Sequence, residues 1–177
     1  MRTLTVTAAA LLFATAAFAQ TSTTEKTGIN SVLGVAPSTE DFVTEAAQSD
    51  MFEIDASKLA LERSDAATKT FAQQMINDHE KTTSELKALV DGGKVQATPP
   101  AAMSDGQKDM IADLTKLQGT DFTKQYHDEQ VDAHEDAVDL FKRYAEGGEN
   151  ADLKAWAATT LPALEHHLAM AQELNKD

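Results

Sequence analysis

The sequence predicts an all-α bundle of four long helices, on three observations. Apolar residues recur at helical spacing over four long stretches. Helix-starting Ser, Thr, Asp or Asn residues stand before those stretches, and Gly and Pro punctuate the intervals between them. Alternation of the kind that marks a strand is absent, and 177 residues suit one domain with appendages.

The first twenty residues read as a signal peptide. Arg2 supplies the positive charge, Ala8 to Phe18 form an apolar run of about ten residues, and Ala17-Phe18-Ala19 offers a small-x-small cleavage site before Gln20. That run is shorter than the roughly 20 apolar residues a membrane span needs, and no later segment is apolar enough to span. Residues 1–19 are therefore expected to be removed, and export, in a bacterial cell to the periplasm, follows. Residues 20–37, rich in Thr, Ser and Gly without a hydrophobic period, are expected to be a disordered leader.

The bundle domain is expected over residues 38–177. Ser38, followed by Asp41, opens a first helix whose apolar pattern runs from Phe42 to about Leu61. Ser64 and Asp65 end it and start a second helix that reaches about Val90, where Asp91-Gly92-Gly93 stops it. Pro99-Pro100 marks a loop. Ser104 with Gln107 opens a short helix bearing Met110, Ile111, Leu114 and Leu117, closed by Gly119. Thr120 is expected to cap a long helix to Glu146. After Gly147-Gly148, Asn150 caps a last helix that continues to about Leu174, with a bend expected at Pro162. The result is two helical hairpins joined by a long connection that carries its own short helix. Both a crossed-over and an up-down arrangement are compatible with it.

Composition excludes several functions. There are 29 acidic residues against 15 basic ones, one of which, Arg2, lies in the leader, so the remaining chain carries about −15. Such a surface repels nucleic acid and anionic lipid. Cysteine is absent, which removes disulfides, thiolate metal sites, thioether-linked haem and a lipid-modified cysteine anchor. A metal or cofactor would have to be held by His, Met or oxygen. No nucleophile elbow, phosphate-cradling glycine loop or His-Glu-x-x-His is present, so no catalytic residue is assigned. Nothing in the pattern sets an oligomeric state.

The informative residues lie in the middle of the apolar faces. At about 100° per residue, Phe42, Ala46, Ala56 and Ala60 fall within roughly 60° of Glu53 on the first long helix, and nothing basic shares the stripe. On the second, Thr68, Ala72, Met75, Ile76, Thr83, Leu86 and Val90 surround His79 in the same way. The third long helix centres on His134 and the last on His167. With about 1.5 Å of rise per residue, all four lie near mid-bundle, roughly 16 to 28 Å from their hairpin turns.

A single inward His is usually a hydrogen-bonded core residue. Three of them with an unpaired buried carboxylate form either a metal-free polar layer or a metal site, because such a carboxylate is costly unless a proton, an imidazolium or a cation relieves it. Glu53, His79, His134 and His167 are the candidate metal ligands. Three imidazoles and one carboxylate suit one transition-metal ion, zinc, iron, manganese or copper, better than calcium or magnesium. Inward Met75 and Met170, with the His residues, leave a haem-binding electron carrier open as an alternative, and a structural or interaction module of the cell envelope as another. His127 is expected to make a separate hydrogen bond, Gln130 to support His134, His166 to be at the rim or in solvent, and Asp128, Glu129 and Asp132 to be solvated.

Met75-Ile-Asn-Asp-His79, the run from Tyr126 through Gln130 to His134, and Leu161-Pro162-Ala-Leu-Glu-His-His167-Leu168 together resemble the motifs of a family of exported bacterial proteins catalogued as domain of unknown function 4142 and placed in the ferritin-like superfamily. The resemblance covers Thr39 to Leu174. It implies a ferritin-like four-helix bundle outside the cytoplasm and brings no established activity. Di-iron members of that superfamily use Glu-x-x-His on two helices. Here Ile76 and Leu164 stand where those glutamates would be, and His134 where another is expected, so a dinuclear centre is not expected and a single-ion site is.

Overall fold

A computed structural model of the chain describes residues 28–176. Among the described residues there are six helices: α1 (Ile29–Leu33), α2 (Thr39–Arg63), α3 (Ala66–Asp91), α4 (Asp105–Lys116), α5 (Gly119–Gly147) and α6 (Ala151–Leu174). The fold is all-α, with four long helices and a short one in the connection between the hairpins.

The helix starts follow local chemistry. The Ser38 hydroxyl accepts from the Asp41 amide, the Asp65 carboxylate from Thr68 and the Asn150 side chain from Leu153, each satisfying one of the amide groups that a helix N-terminus leaves unpaired. Ser104 and Gln107 form a reciprocal capping box at α4. The expected cap at Thr120 is not used. Gly119, with φ of 58°, turns the chain after α4 and itself begins α5, so Thr120 lies inside the helix and the preceding Gln118 offers no side-chain cap.

Contacts between helices fix the topology. Thr39 and Tyr144 hydroxyls meet at 2.7 Å near one end of the bundle, and Ser57 and Tyr126 at 2.9 Å nearer the other, so α2 and α5 are antiparallel. Thr68 is bonded to His127 at 2.9 Å, while the Asn150 amide donates to the Lys94 carbonyl at 2.8 Å. Hence α3 and α5 run in the same direction, and residues 92–118 travel back along the bundle between them. Of the two arrangements that the sequence allows, this is the crossed-over one. Arg63 secures the return by donating to the carbonyls of Leu114, Thr115 and Leu117 at 3.2, 2.9 and 3.0 Å.

The apolar core has two parts. One is built around Phe42, Phe141, Tyr144 and Leu153, the other around Phe52, Phe71, Met75, Phe122 and Tyr126. The residues that separate them along each long helix are polar, and that layer contains the site described below.

The leader expected over 20–37 differs in its last part. It contains α1, and the Val35 carbonyl accepts from Arg143 Nη1 at 2.8 Å, a bond that ties the segment to α5. The signal-peptide reading of 1–19 lies outside the described residues. No described helix is long and apolar enough to cross a membrane.

Candidate metal centre

Each long helix brings one polar side chain to the boundary between the two apolar clusters: Glu53 from α2, His79 from α3, His134 from α5 and His167 from α6. All four are at most 3% exposed. Helical periodicity puts each at the centre of a stripe that must face inward if its apolar neighbours are to be buried.

The three imidazoles converge. One ring nitrogen from each lies within 4.8 Å of one from each of the others. Ring centres are 5.8 Å apart for His79 and His134, 5.8 Å for His79 and His167, and 5.5 Å for His134 and His167. Imidazoles aimed at one ion across bonds of about 2 Å place their ring centres roughly 5 to 6 Å apart, so little movement separates this arrangement from a coordinating one.

The other nitrogen of each ring is held. His79 Nδ1 donates to Asp50 Oδ1 at 2.8 Å, and the same carboxylate accepts from Thr82 and Thr83 at 2.8 and 2.9 Å. His134 Nδ1 donates to the Gln130 carbonyl at 2.8 Å. His167 Nε2 donates to Asp78 Oδ2 at 2.9 Å. A carbonyl can only accept, so the hydrogen of a neutral His134 is on Nδ1 and its Nε2 presents a lone pair. His79 Nε2, His134 Nε2 and His167 Nδ1 are all buried without a hydrogen-bond partner. Holding one nitrogen by a carboxylate or carbonyl while the other is bare is how metal-binding histidines are oriented.

Glu53 is the fourth buried polar group of the layer, near the held side of the His134 ring. Its Oε1 is 3.8 Å from His134 Nδ1, and neither oxygen has a hydrogen-bond partner. Burial pushes its pKa above the ordinary carboxylate value, against the pull of His79 and the nearby Gln130 amide. For His79, burial works downward, but the Asp50 hydrogen bond and the charges of Glu53, Asp50 and Asp78 outweigh it, so the net shift is upward. His134 is pushed down to about 4 by burial and by the neighbouring His79. His167 is also lowered to about 4, by burial and then by repulsion from His134 and His79, with Asp78 opposing. The layer thus keeps the His134 and His167 rings neutral, while His79 holds a proton more readily than a free imidazole does. Once His79 gives up its proton, three buried imidazole nitrogens near a buried carboxylate form a donor set that a single cation fits.

The remaining expectations divide. His127 makes its separate bond, to Thr68, and His166 is exposed. Gln130 supports His134, through its backbone carbonyl. Glu129 is not solvated: it is buried, and Oε1 accepts from Gln125 at 2.8 Å, because the helix turns it towards the side chains beneath rather than outward. Two participants escaped the sequence reading. Asp50 lies one turn before Glu53 and Asp78 directly precedes His79, and the spacing of Thr82 and Thr83 after His79 was the available signal for an acceptor at that place.

No curated protein matches the sequence. Among solved structures, the fold is similar to that of a protein described as "CopM in the Cu(II)-bound form", with a TM-score of 0.66 and 16% identity over 80% of this chain and 98% of that one. At that identity the likeness speaks for the fold. The family model described as "Domain of unknown function (DUF4142)" matches residues 17–174, and the chain belongs to that family.

Proposed function

We propose that the protein binds one transition-metal ion through His79 Nε2, His134 Nε2 and His167 Nδ1, with the buried Glu53 carboxylate balancing its charge. Two observations carry the reading: three buried imidazoles each bring a ring nitrogen within 4.8 Å of the others, and each ring has one nitrogen held and the other buried without a partner. The ion, when bound, supplies positive charge beside the buried Glu53 carboxylate, whose two oxygens have no hydrogen-bond partner. Nitrogen donors without a thiolate favour copper and zinc over manganese or iron in the usual order of divalent affinities. Copper is the first ion to try, since the structural neighbour is described in a Cu(II)-bound form. The expected role is metal binding or buffering outside the cytoplasm, where the leader reading sends the chain.

The test is titration of metal-free mature protein with Cu2+ and Zn2+, followed by calorimetry. One ion per chain is expected at the core site, with binding weakened at least a hundredfold in His134→Ala. Equal binding by that variant would place the ion elsewhere. No tight binding by the parent protein would favour a metal-free polar layer that only fixes helix register.

A further inference from the structure

The three imidazoles are not held alike. Asp50, which holds His79, is 8% exposed in its side chain and is itself fixed by two threonines. His134 is held by a backbone carbonyl inside α5. His167 alone is held by a carboxylate that reaches water: Asp78 is 43% exposed, while the ring that it holds is 3% exposed. Asp78 also lines an open surface hollow along α3, with Lys69, Thr70, Gln73, Gln74 and Asn77. To turn His79, the ring would have to leave a buried carboxylate that two threonines fix in place, and to turn His134 it would have to leave a buried carbonyl without a replacement. Turning His167 exchanges a single bond to Asp78 for bonds to water. The seam between α3 and α6 is therefore where the layer opens at least cost.

We propose that Asp78 is the latch of the metal site and that a divalent cation enters and leaves past it, through the α3–α6 seam, when His167 swings off the Asp78 carboxylate. This rests on the three-histidine site as read above. Asp78 acts on such an ion through its hydrogen bond, which keeps His167 aimed inward and must break for the cation to pass in either direction. A latch sets both rates together, whereas a partner that only orients a ligand sets affinity.

The experiment is stopped-flow loading of the full mature chain with Co2+, read by the visible absorption of a low-coordinate cobalt site, and release of the loaded ion to excess chelator. Asp78→Ala is expected to speed loading and release alike, each by tenfold or more, so that Kd changes less than either rate. Asp78→Asn is expected to do so to a smaller extent. Asp50→Ala, which frees the buried ring of His79, is expected to speed release without speeding loading. Rates in both Asp78 variants equal to those of the parent, or faster release with unchanged loading, would overturn the latch while leaving the site intact. Failure of the parent chain to develop the cobalt band would remove the site, and the latch with it.

Discussion

Glu53 is the residue at which charge and burial conflict most directly. Both oxygens are buried without a partner, and its pKa is raised above the ordinary value first of all by that burial. A bound cation would turn the same carboxylate from a cost into an attraction. Glu53→Gln is therefore expected to lower affinity for a divalent ion about 10- to 100-fold while leaving the metal-free fold at least as stable. Urea melts with and without the ion check both halves, and a metal-free variant that melts at markedly lower urea would show that the carboxylate has a structural role instead. The three histidines and Glu53 were legible in the sequence because each sits at the middle of a helical apolar stripe. Asp78 was not, since on a wheel it lies about 100° from His79, where an acidic residue reads as solvated, and Asp50, about 60° from Glu53 at the edge of the inward stripe, was passed over. Only the packing of α2 on α3, and of α3 on α6, shows that imidazoles reach them.

The helices themselves were largely legible because caps are local. Ser38, Asp65, Ser104 and Asn150 each satisfy amides a few residues ahead, and no knowledge of the fold is needed to see it. What escaped was set by long-range contact. The crossed-over path of residues 92–118 depends on Arg63 meeting three carbonyls about fifty positions along the chain, and α1 lies beside a segment tied down by Arg143. The turn between α5 and α6 makes a sharper demand. A Cβ on Gly148 would stand 2.6 Å from the Tyr144 ring and from its carbonyl oxygen, and that ring is stacked on Phe42 at a centroid distance of 4.1 Å. Gly148→Ala is expected to lower stability by about 1–3 kcal/mol through the displacement it forces. A denaturation midpoint unchanged from the parent would show that the turn has slack.

At the scale of the whole molecule, the polar layer couples folding to protons. His134 and His167 have folded pKa values of about 4 against an ordinary 6.5, so between those values the unfolded chain takes up protons that the folded one refuses. Their contribution to stability is complete above about pH 6.5 and is lost as the pH falls towards 4. The raised value of His79 has the opposite sign, adding stability below its unfolded value that is lost as the pH rises through its folded one. Glu53, also raised, works in that same sense from a lower starting point and opposes the two lowered histidines in part of the acid window. With two lowered rings against one carboxylate, the melting temperature of the metal-free protein is expected to fall as the pH drops from about 6.5 to about 4. Calorimetry in that interval checks the sign, and a melting temperature that rises on acidification would contradict the assignment of His134 and His167 as neutral.

The claim on which the rest depends is that three imidazoles share one ion. X-ray absorption of protein loaded with a single equivalent of Zn2+ tests it without any assumption about activity. The account predicts a first shell containing about three imidazole nitrogens at about 2 Å, with the outer-shell scattering that rigid rings produce, and loss of that pattern in His134→Ala. A first shell made of oxygen, with no imidazole scattering, would mean that the ion is held by the acidic surface and that the polar layer binds none.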